Sequence, residues 1–135
     1  MLDRLGGQRV GIGRTVPAST LNEFRRSAGG TDVTVWVANC LFEIQDSTGG
    51  LATIRDTETR TVLEVAWCLM PVSRGMIPAV DRNGQAAPIA VADVTADCWL
   101  EFGGKKFPVQ SRASLEYDDE GREDHVFCIG QRNGG

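Results

Sequence analysis

The stretch Val33-Thr34-Val35-Trp36-Val37-Ala38-Asn39-Cys40-Leu41-Phe42-Glu43-Ile44 decides the fold class. Val33, Val35 and Val37 alternate with Thr34 and Trp36, and Cys40, Phe42 and Ile44 continue the Trp36 register with a period of two. That period belongs to a strand, whose successive side chains point to opposite faces. Apolar residues at both parities predict a long strand whose first half is buried on both sides. A second run, residues 60–70, places Thr61, Leu63, Val65, Trp67 and Leu69 on one face and is closed by Pro71, which cannot donate to a ladder. Between the two runs, residues 46–50 and 56–59 read as turns around a shorter strand at 51–55.

Working outward, residues 99–102 and 105–109 flank Gly103-Gly104, whose tolerance of positive φ suits a two-residue hairpin turn. Residues 112–117 and 123–129 form a further strand pair joined by Asp118-Asp119-Glu120-Gly121. Residues 72–88 contain Pro78, Pro88 and Asn83-Gly84 and read as a loop with a short strand at 77–80 and a tight turn at 82–84, before strand signals resume at 89–94. Upstream, the glycine-rich residues 6–14 suit an edge strand or an extended arm. Residues 20–26 suit a helical turn or two, capped by Ser19 or Thr20 and stopped by Gly29-Gly30. The expected fold is therefore all-β, a small barrel or sandwich of about seven or eight strands with one short helical segment near the N-terminus. Its expected parts are a basic arm over residues 1–32, a β-barrel domain over 33–130 and a flexible tail over 131–135. Open edges in such folds are commonly covered by a neighbouring subunit, which favours oligomerisation.

A chain of 135 residues, 41% apolar and 24% charged, fits one ordinary globular domain, and its 16 glycines fit many turns. No apolar run approaches the roughly 20 residues of a membrane helix, and Met1-Leu2-Asp3-Arg4 lacks a signal-peptide layout, so a soluble protein made in the cytoplasm is expected. The net charge of -4 argues against a dedicated nucleic-acid binder. The charge is uneven: Arg4, Arg9, Arg14, Arg25 and Arg26 against Asp3 and Glu23 make residues 1–26 +3, leaving the remainder at -7. A basic arm on an acidic body suits docking between like subunits or between rings; a merely solvated imbalance is the alternative.

No constellation predicts catalysis or a cofactor. Cys40, Cys68, Cys98 and Cys128 form no C-x-x-C pair, lie too far apart for a usual zinc site, and each sits in an apolar stretch, so buried reduced thiols are expected. His125, the single histidine, lies three residues from Cys128 and so on the opposite face of a strand. A serine triad would also need His125, and no G-x-S-x-G elbow supplies its serine. The acidic residues 116–124 do not match a calcium-loop spacing and read as a solvated turn. Gly11-x-Gly13 lacks the third glycine and the preceding strand of a dinucleotide motif. Trp36, Trp67 and Trp99 read as core or interface residues; a base-stacking barrel is the competing reading, weakened by the lack of basic residues near them in sequence. Lys105-Lys106 reads as a solubilising turn.

Four segments together carry a resemblance: Val62-Leu-Glu-Val-Ala-Trp-Cys-Leu-Met-Pro-Val72, Ile77-Pro-Ala-Val-Asp-Arg-Asn-Gly-Gln-Ala-Ala-Pro-Ile89, Trp99-Leu-Glu-Phe-Gly-Gly-Lys-Lys-Phe-Pro-Val109 and Glu116-Tyr-Asp-Asp-Glu-Gly-Arg-Glu123. In this order they resemble the head-to-tail connector, or head-closure stopper, proteins of long-tailed actinobacterial phages. The resemblance covers about half the chain and lies in the order of strands and turns, not in a reactive motif. It implies a non-enzymatic β-barrel subunit of a homo-oligomeric ring in the virion neck, with portal and adaptor proteins above and tail-tube or terminator proteins below. Packaged DNA would lie in the lumen without sequence-specific contacts, and neither a membrane nor a cofactor is implied. By physical analogy, residues 72–85 would be the loop projecting into the lumen, with Arg74 and Arg82 facing DNA. A tail terminator or other joining protein is the nearest alternative, and a single-stranded nucleic-acid-binding barrel the second.

Overall fold

The computed structural model describes residues 6–16, 30–45 and 63–133. Its elements are β1 (Gln8–Val16), β2 (Thr31–Gln45), β3 (Leu63–Met70), β4 (Met76–Ile77), β5 (Ile89–Ala90), β6 (Trp99–Phe102), β7 (Lys105–Pro108), β8 (Ser114–Tyr117) and β9 (Glu123–Asn133), with one 3-10 turn at Val91–Asp93. Seven strands form one sheet in the order β7-β6-β1-β2-β3-β9-β8, every pairing antiparallel, and β4 and β5 pair separately. The helical segment expected at 20–26, the strand at 51–55 and the turns around it lie outside the described residues.

β2 is the long strand expected, but it does not keep one register. Before Ala38 its core-facing residues are odd-numbered, with Val37 fully buried; after Asn39 they are Cys40 and Phe42. A bulge makes the switch. Gln8 pairs with Cys40 and Val10 with Val37, so two residues of β2, Ala38 and Asn39, oppose one of β1, Arg9, and Asn39 takes a φ of 61°. The expected continuity from Trp36 to Cys40 and Phe42 is therefore corrected: Trp36 faces outward and the later residues face inward. Beyond the bulge the Gln8 side chain replaces the lost ladder, its Oε1 accepting from the Phe42 N–H at 2.8 Å and its Nε2 donating to the Phe42 carbonyl at 3.3 Å.

The bend lets the first half of β2 pair with β1 and the second half with β3, so the sheet folds over on itself around one core. Phe42 stacks on Phe102 at 4.4 Å and meets Phe107 edge-on at 5.3 Å, joining the β2-β3-β9-β8 half to the β6-β7 half. Closure is incomplete. The sheet is not a closed barrel: a single Val109–Gly130 bridge and one hydrogen bond from the Gln110 N–H to the Ile129 carbonyl bring the chain after β7 against β9.

Several boundaries differ from expectation. Within the expected arm, Gln8–Val16 is an interior strand flanked by β2 and β6, because its Val10 and Ile12 supply core. β9 continues to Asn133, so residues 131–133 of the expected tail are ladder, and Arg132 is held by Glu64 at 2.6 Å and over the Phe107 ring at 5.7 Å. The strand expected over 89–94 stops at Ala90, where Val91–Asp93 turns and the Val94 N–H bonds the Val91 carbonyl. The Gly103-Gly104 hairpin is as expected, with φ of 63° and 80°.

Gly130 marks a close approach of β9 to β7. A Cβ there would lie 2.7 Å from Phe107 Cβ and 2.9 Å from the Phe107 carbonyl oxygen. Backbone cannot move aside cheaply, so Gly130→Ala is predicted to cost about 1–3 kcal/mol of stability. Urea unfolding monitored by circular dichroism checks this, with a lower midpoint and an unchanged slope expected.

Candidate functional site

The segment expected to project as a loop is an ordered hairpin. Residues 76–80 run antiparallel to 86–90 through the Met76–Ala90 and Ile77–Ile89 pairs, the Val80–Ala86 bridge and the bond from the Ala87 N–H to the Ala79 carbonyl. Ile77 and Ala79 are buried, and reciprocal bonds between Trp36 and Val80 at 2.8 and 3.0 Å tie the hairpin to β2. Its tip is organised by Asp81, whose Oδ1 accepts from the N–H groups of Asn83 and Gln85. Arg82, Asn83, Gly84 and Gln85 are exposed there.

Arg74 is also exposed, but at the other end. It occupies the turn Ser73-Arg74-Gly75-Met76, where Ser73 and Met76 exchange both backbone bonds at 2.9 Å. Arg74 and Gly75 have φ of 54° and 75°, a type I′ geometry that is strained for arginine. Glu123 anchors the turn by accepting from the Gly75 N–H at 3.0 Å. Roughly 17 Å of extended chain separates Met76 from Asp81, so Arg74 and Arg82 do not form one cluster. Of the five arginines assigned to the arm, Arg9 and Arg14 lie on β1, and Arg4, Arg25 and Arg26 fall outside the described residues.

The outer face of β6-β1-β2 explains the glycines of β1. Gly11 pairs with Trp36 and Gly13 with Trp99, and a Cβ at either glycine would lie within 3 Å of the facing indole. Glycine therefore lets two tryptophans lie across the strand. The Arg9 guanidinium sits 4.8 Å from the Trp36 ring centroid and the Lys106 ammonium 4.7 Å from that of Trp99. Sequence distance hid the first pairing, since Arg9 and Trp36 meet only through the pairing of β1 with β2, whereas Lys106 and Trp99 meet across the Gly103-Gly104 hairpin.

The opposite outer face, on β2-β3-β9, is apolar. Leu41, Leu69 and Phe127 run across one row, and Glu43, Trp67 and Ile129 across the next. The face of β3 that carries Leu63, Val65, Trp67 and Leu69 is thus the outer one, while Ala66, Cys68 and Met70 enter the core. Trp67 is 43% exposed and packs edge-on against Phe127 at 5.8 Å. None of the three tryptophans belongs to the buried core.

Groups with catalytic potential are kept apart. His125 lies on the outer face of β9, 2.8 Å from Asp124 and opposite Glu116, whereas Cys128 faces the core. All four cysteines are buried and unbridged. A cleft of about 250 Å³ between β1-β2 and the 76–90 hairpin is lined chiefly by apolar groups such as Ile12, Val33, Val35 and Ile89, with Arg14 and Asp93 as its charged residues. No group of three metal-ligating side chains occurs among the described residues, nor does any helix there reach the length and apolarity of a membrane span. The geometry suits binding through surfaces, with cations at the tips and on the tryptophans and an apolar face opposite.

Compared with known proteins, the chain matches no protein-family model, no curated protein and no solved structure.

Burial in the core pushes the Cys128 thiol from 9.0 up to about 12, with nearby Cys98 adding to the shift, and Cys68 is raised in the same direction by its hydrogen bond with Cys40 and by burial. The folded chain thus keeps a proton on Cys128 that the unfolded chain loses above about 9. The contribution of this thiol to stability is complete below that pH and lost as pH rises toward 12, by about 1.4 kcal/mol per unit. Denaturant midpoints measured from pH 8 to pH 11 are predicted to fall less steeply for Cys128→Ala than for the wild type.

Proposed function

We propose that this chain is a structural, non-enzymatic subunit of a ring in the neck of a long-tailed phage particle, a head-to-tail connector that closes the portal channel and offers the tail a docking surface. The observation that carries the reading is the braced hairpin 76–90. It carries an exposed cationic tip, Arg82, on a stem fixed by Ile77, Ala79 and the Trp36–Val80 bonds. A rigid stem with a cation at its end can block a channel and meet DNA phosphates without reading sequence. The order of strands and turns that gave the resemblance supports the same reading, as does an apolar outer face suited to burial against neighbours. The assembled subunit would sit in the virion, between portal and adaptor above and tail-tube or terminator proteins below. A tail terminator would share these features and differ in its neighbours.

A second reading is favoured by the cation–tryptophan pairs of β6-β1-β2: a single-stranded nucleic-acid binder that uses Trp36 and Trp99 as stacking platforms. In the structure Arg9 and Lys106 already occupy ring faces, so bases would have to displace them. Salt-sensitive binding of oligonucleotides by the monomer would favour this reading.

Light scattering and negative-stain imaging of the purified chain, alone and mixed with portal-bearing heads, test the proposal. Rings, formed freely or on heads, are expected; a monomer that ignores heads would overturn it. In assembled particles, Arg82→Glu is predicted to increase DNA loss, with Arg74→Glu adding less because it lies at the far end of the hairpin. Unchanged DNA retention when both charges are reversed would remove the lumen assignment.

A further inference from the structure

The apolar outer face of β2-β3-β9 consists of three rows, Leu41-Leu69-Phe127, Glu43-Trp67-Ile129 and Gln45-Val65-Gln131. Leu41 and Trp67 are its exposed large apolar side chains, at 36% and 43%. Glu43 is the one charged residue in the rows, and it has no ion-pair partner among the described residues. The way the chain enters β1 indicates what covers this face. Because β1 and β2 are antiparallel, the chain traced backwards from Val10 to Gln8 runs along β2 in the direction of Gln45. In the plane of the sheet it goes no further, since the Gln8 amide already holds the N–H and carbonyl of Phe42 that a longer β1 would need. Gly7 then turns the backbone at a φ of 76°, and Gly6 lies against Leu41. A Cβ on Gly6 would stand 2.7 Å from the Cys40 carbonyl oxygen and 3.1 Å from both Cα and Cδ1 of Leu41. Residues 1–5 are therefore delivered at the border of the outer face, beside the outward-pointing Leu41.

We propose that the chain's own residues 1–5, Met1-Leu2-Asp3-Arg4-Leu5, form a strap over Leu41 and Trp67. The reach is sufficient. Trp67 lies one strand over and two residues along from Leu41, roughly 8 Å away, and five extended residues span roughly 17 Å. Three of the five are apolar, which suits them to burial against the indole. Arg4 brings a cation to Glu43, and in an extended segment the adjacent Asp3 points the other way, toward solvent. Asp3 and Arg4 leave the side chains of the segment neutral in sum, so charge does not choose the occupant; the place where Gly6 hands over the chain does. A strap of this length covers the β2-β3 part of the face and leaves Phe127 and Ile129 of β9 to neighbours. The inference thus stands with or without the ring-subunit reading.

The test places a nitroxide on Leu2→Cys of the full chain, whose four native thiols are buried. In nitrogen-15 spectra of the three indole N–H groups, with the Trp67 signal assigned through Trp67→Phe, that signal is expected to lose most of its intensity and to recover when the nitroxide is reduced. Trp36 and Trp99, on the other outer face, should keep more of theirs. No loss at Trp67, or equal loss at all three, would overturn the strap. A mixture of nitrogen-15 chain without the nitroxide and unenriched chain carrying it is expected to leave Trp67 intact; loss there would assign the segment to another copy and overturn the intrachain contact. A chain without residues 2–5, checked for the wild-type circular dichroism spectrum, gives a second readout free of the label. Acrylamide is expected to quench its tryptophan fluorescence more than that of the full chain, with no such difference in the Trp67→Phe background. Equal quenching of the two chains would overturn the strap. Arg4→Glu is expected to raise the same quenching, and Glu43→Lys added to it to lower it again; quenching indifferent to both would overturn the Arg4–Glu43 pairing.

Discussion

The fold depends on the bend in β2. One strand of 15 residues serves two halves of a sheet, and it can do so because a bulge at Ala38–Asn39 exchanges its inward and outward parities midway. Without that exchange Trp36 and Phe42 would share a face, and either an indole would enter the core or a phenyl ring would leave it. The bulge also opens the ladder for a few residues, and the Gln8 side chain, acting as a stand-in peptide group for Phe42, restores the lost bonds. The positive φ of Asn39 lies in a region where asparagine is among the better-tolerated residues.

From that bend follow the contacts that hold the molecule shut. Phe42 reaches Phe102 and Phe107, and β7 is drawn close enough to β9 that Gly130 is needed beneath Phe107. The interior is filled by small and medium apolar groups, the four thiols among them, and no polar or charged residue among the described residues is buried in it. On the surface the two outer faces differ in kind: one is apolar around Trp67, and the other is built of tryptophans laid over glycines, with Arg9 and Lys106 above them and Asp32 and Glu101 on the same side.

The hairpin 76–90 relates the scaffold to the proposed role. Its stem is part of the core and its ends are turns, each with an arginine. Arg74 stands in a turn where Asn would be easier, and nothing else in the local packing calls for arginine. The two arginines lie at opposite ends of the hairpin, and the proposed role assigns only the tip arginine to the lumen.

Sequence alone determined the strand class, the Gly103-Gly104 hairpin, the burial of the cysteines and the separation of His125 from Cys128, because each follows from period-two geometry or local turn chemistry. Tertiary structure decided which face of each strand is inside. The run of Leu63, Val65, Trp67 and Leu69 shares one face by its period, but only the tertiary structure shows that face to be the outer one, with Ala66, Cys68 and Met70 filling the interior. A one-residue bulge leaves no mark in an alternating pattern when both parities are apolar, so the register of β2 was hidden too. The partners of Trp36 and Trp99, and the place of Gln8–Val16 inside the sheet, were likewise hidden. They arise from pairing between strands far apart in the chain, a property that local composition does not encode.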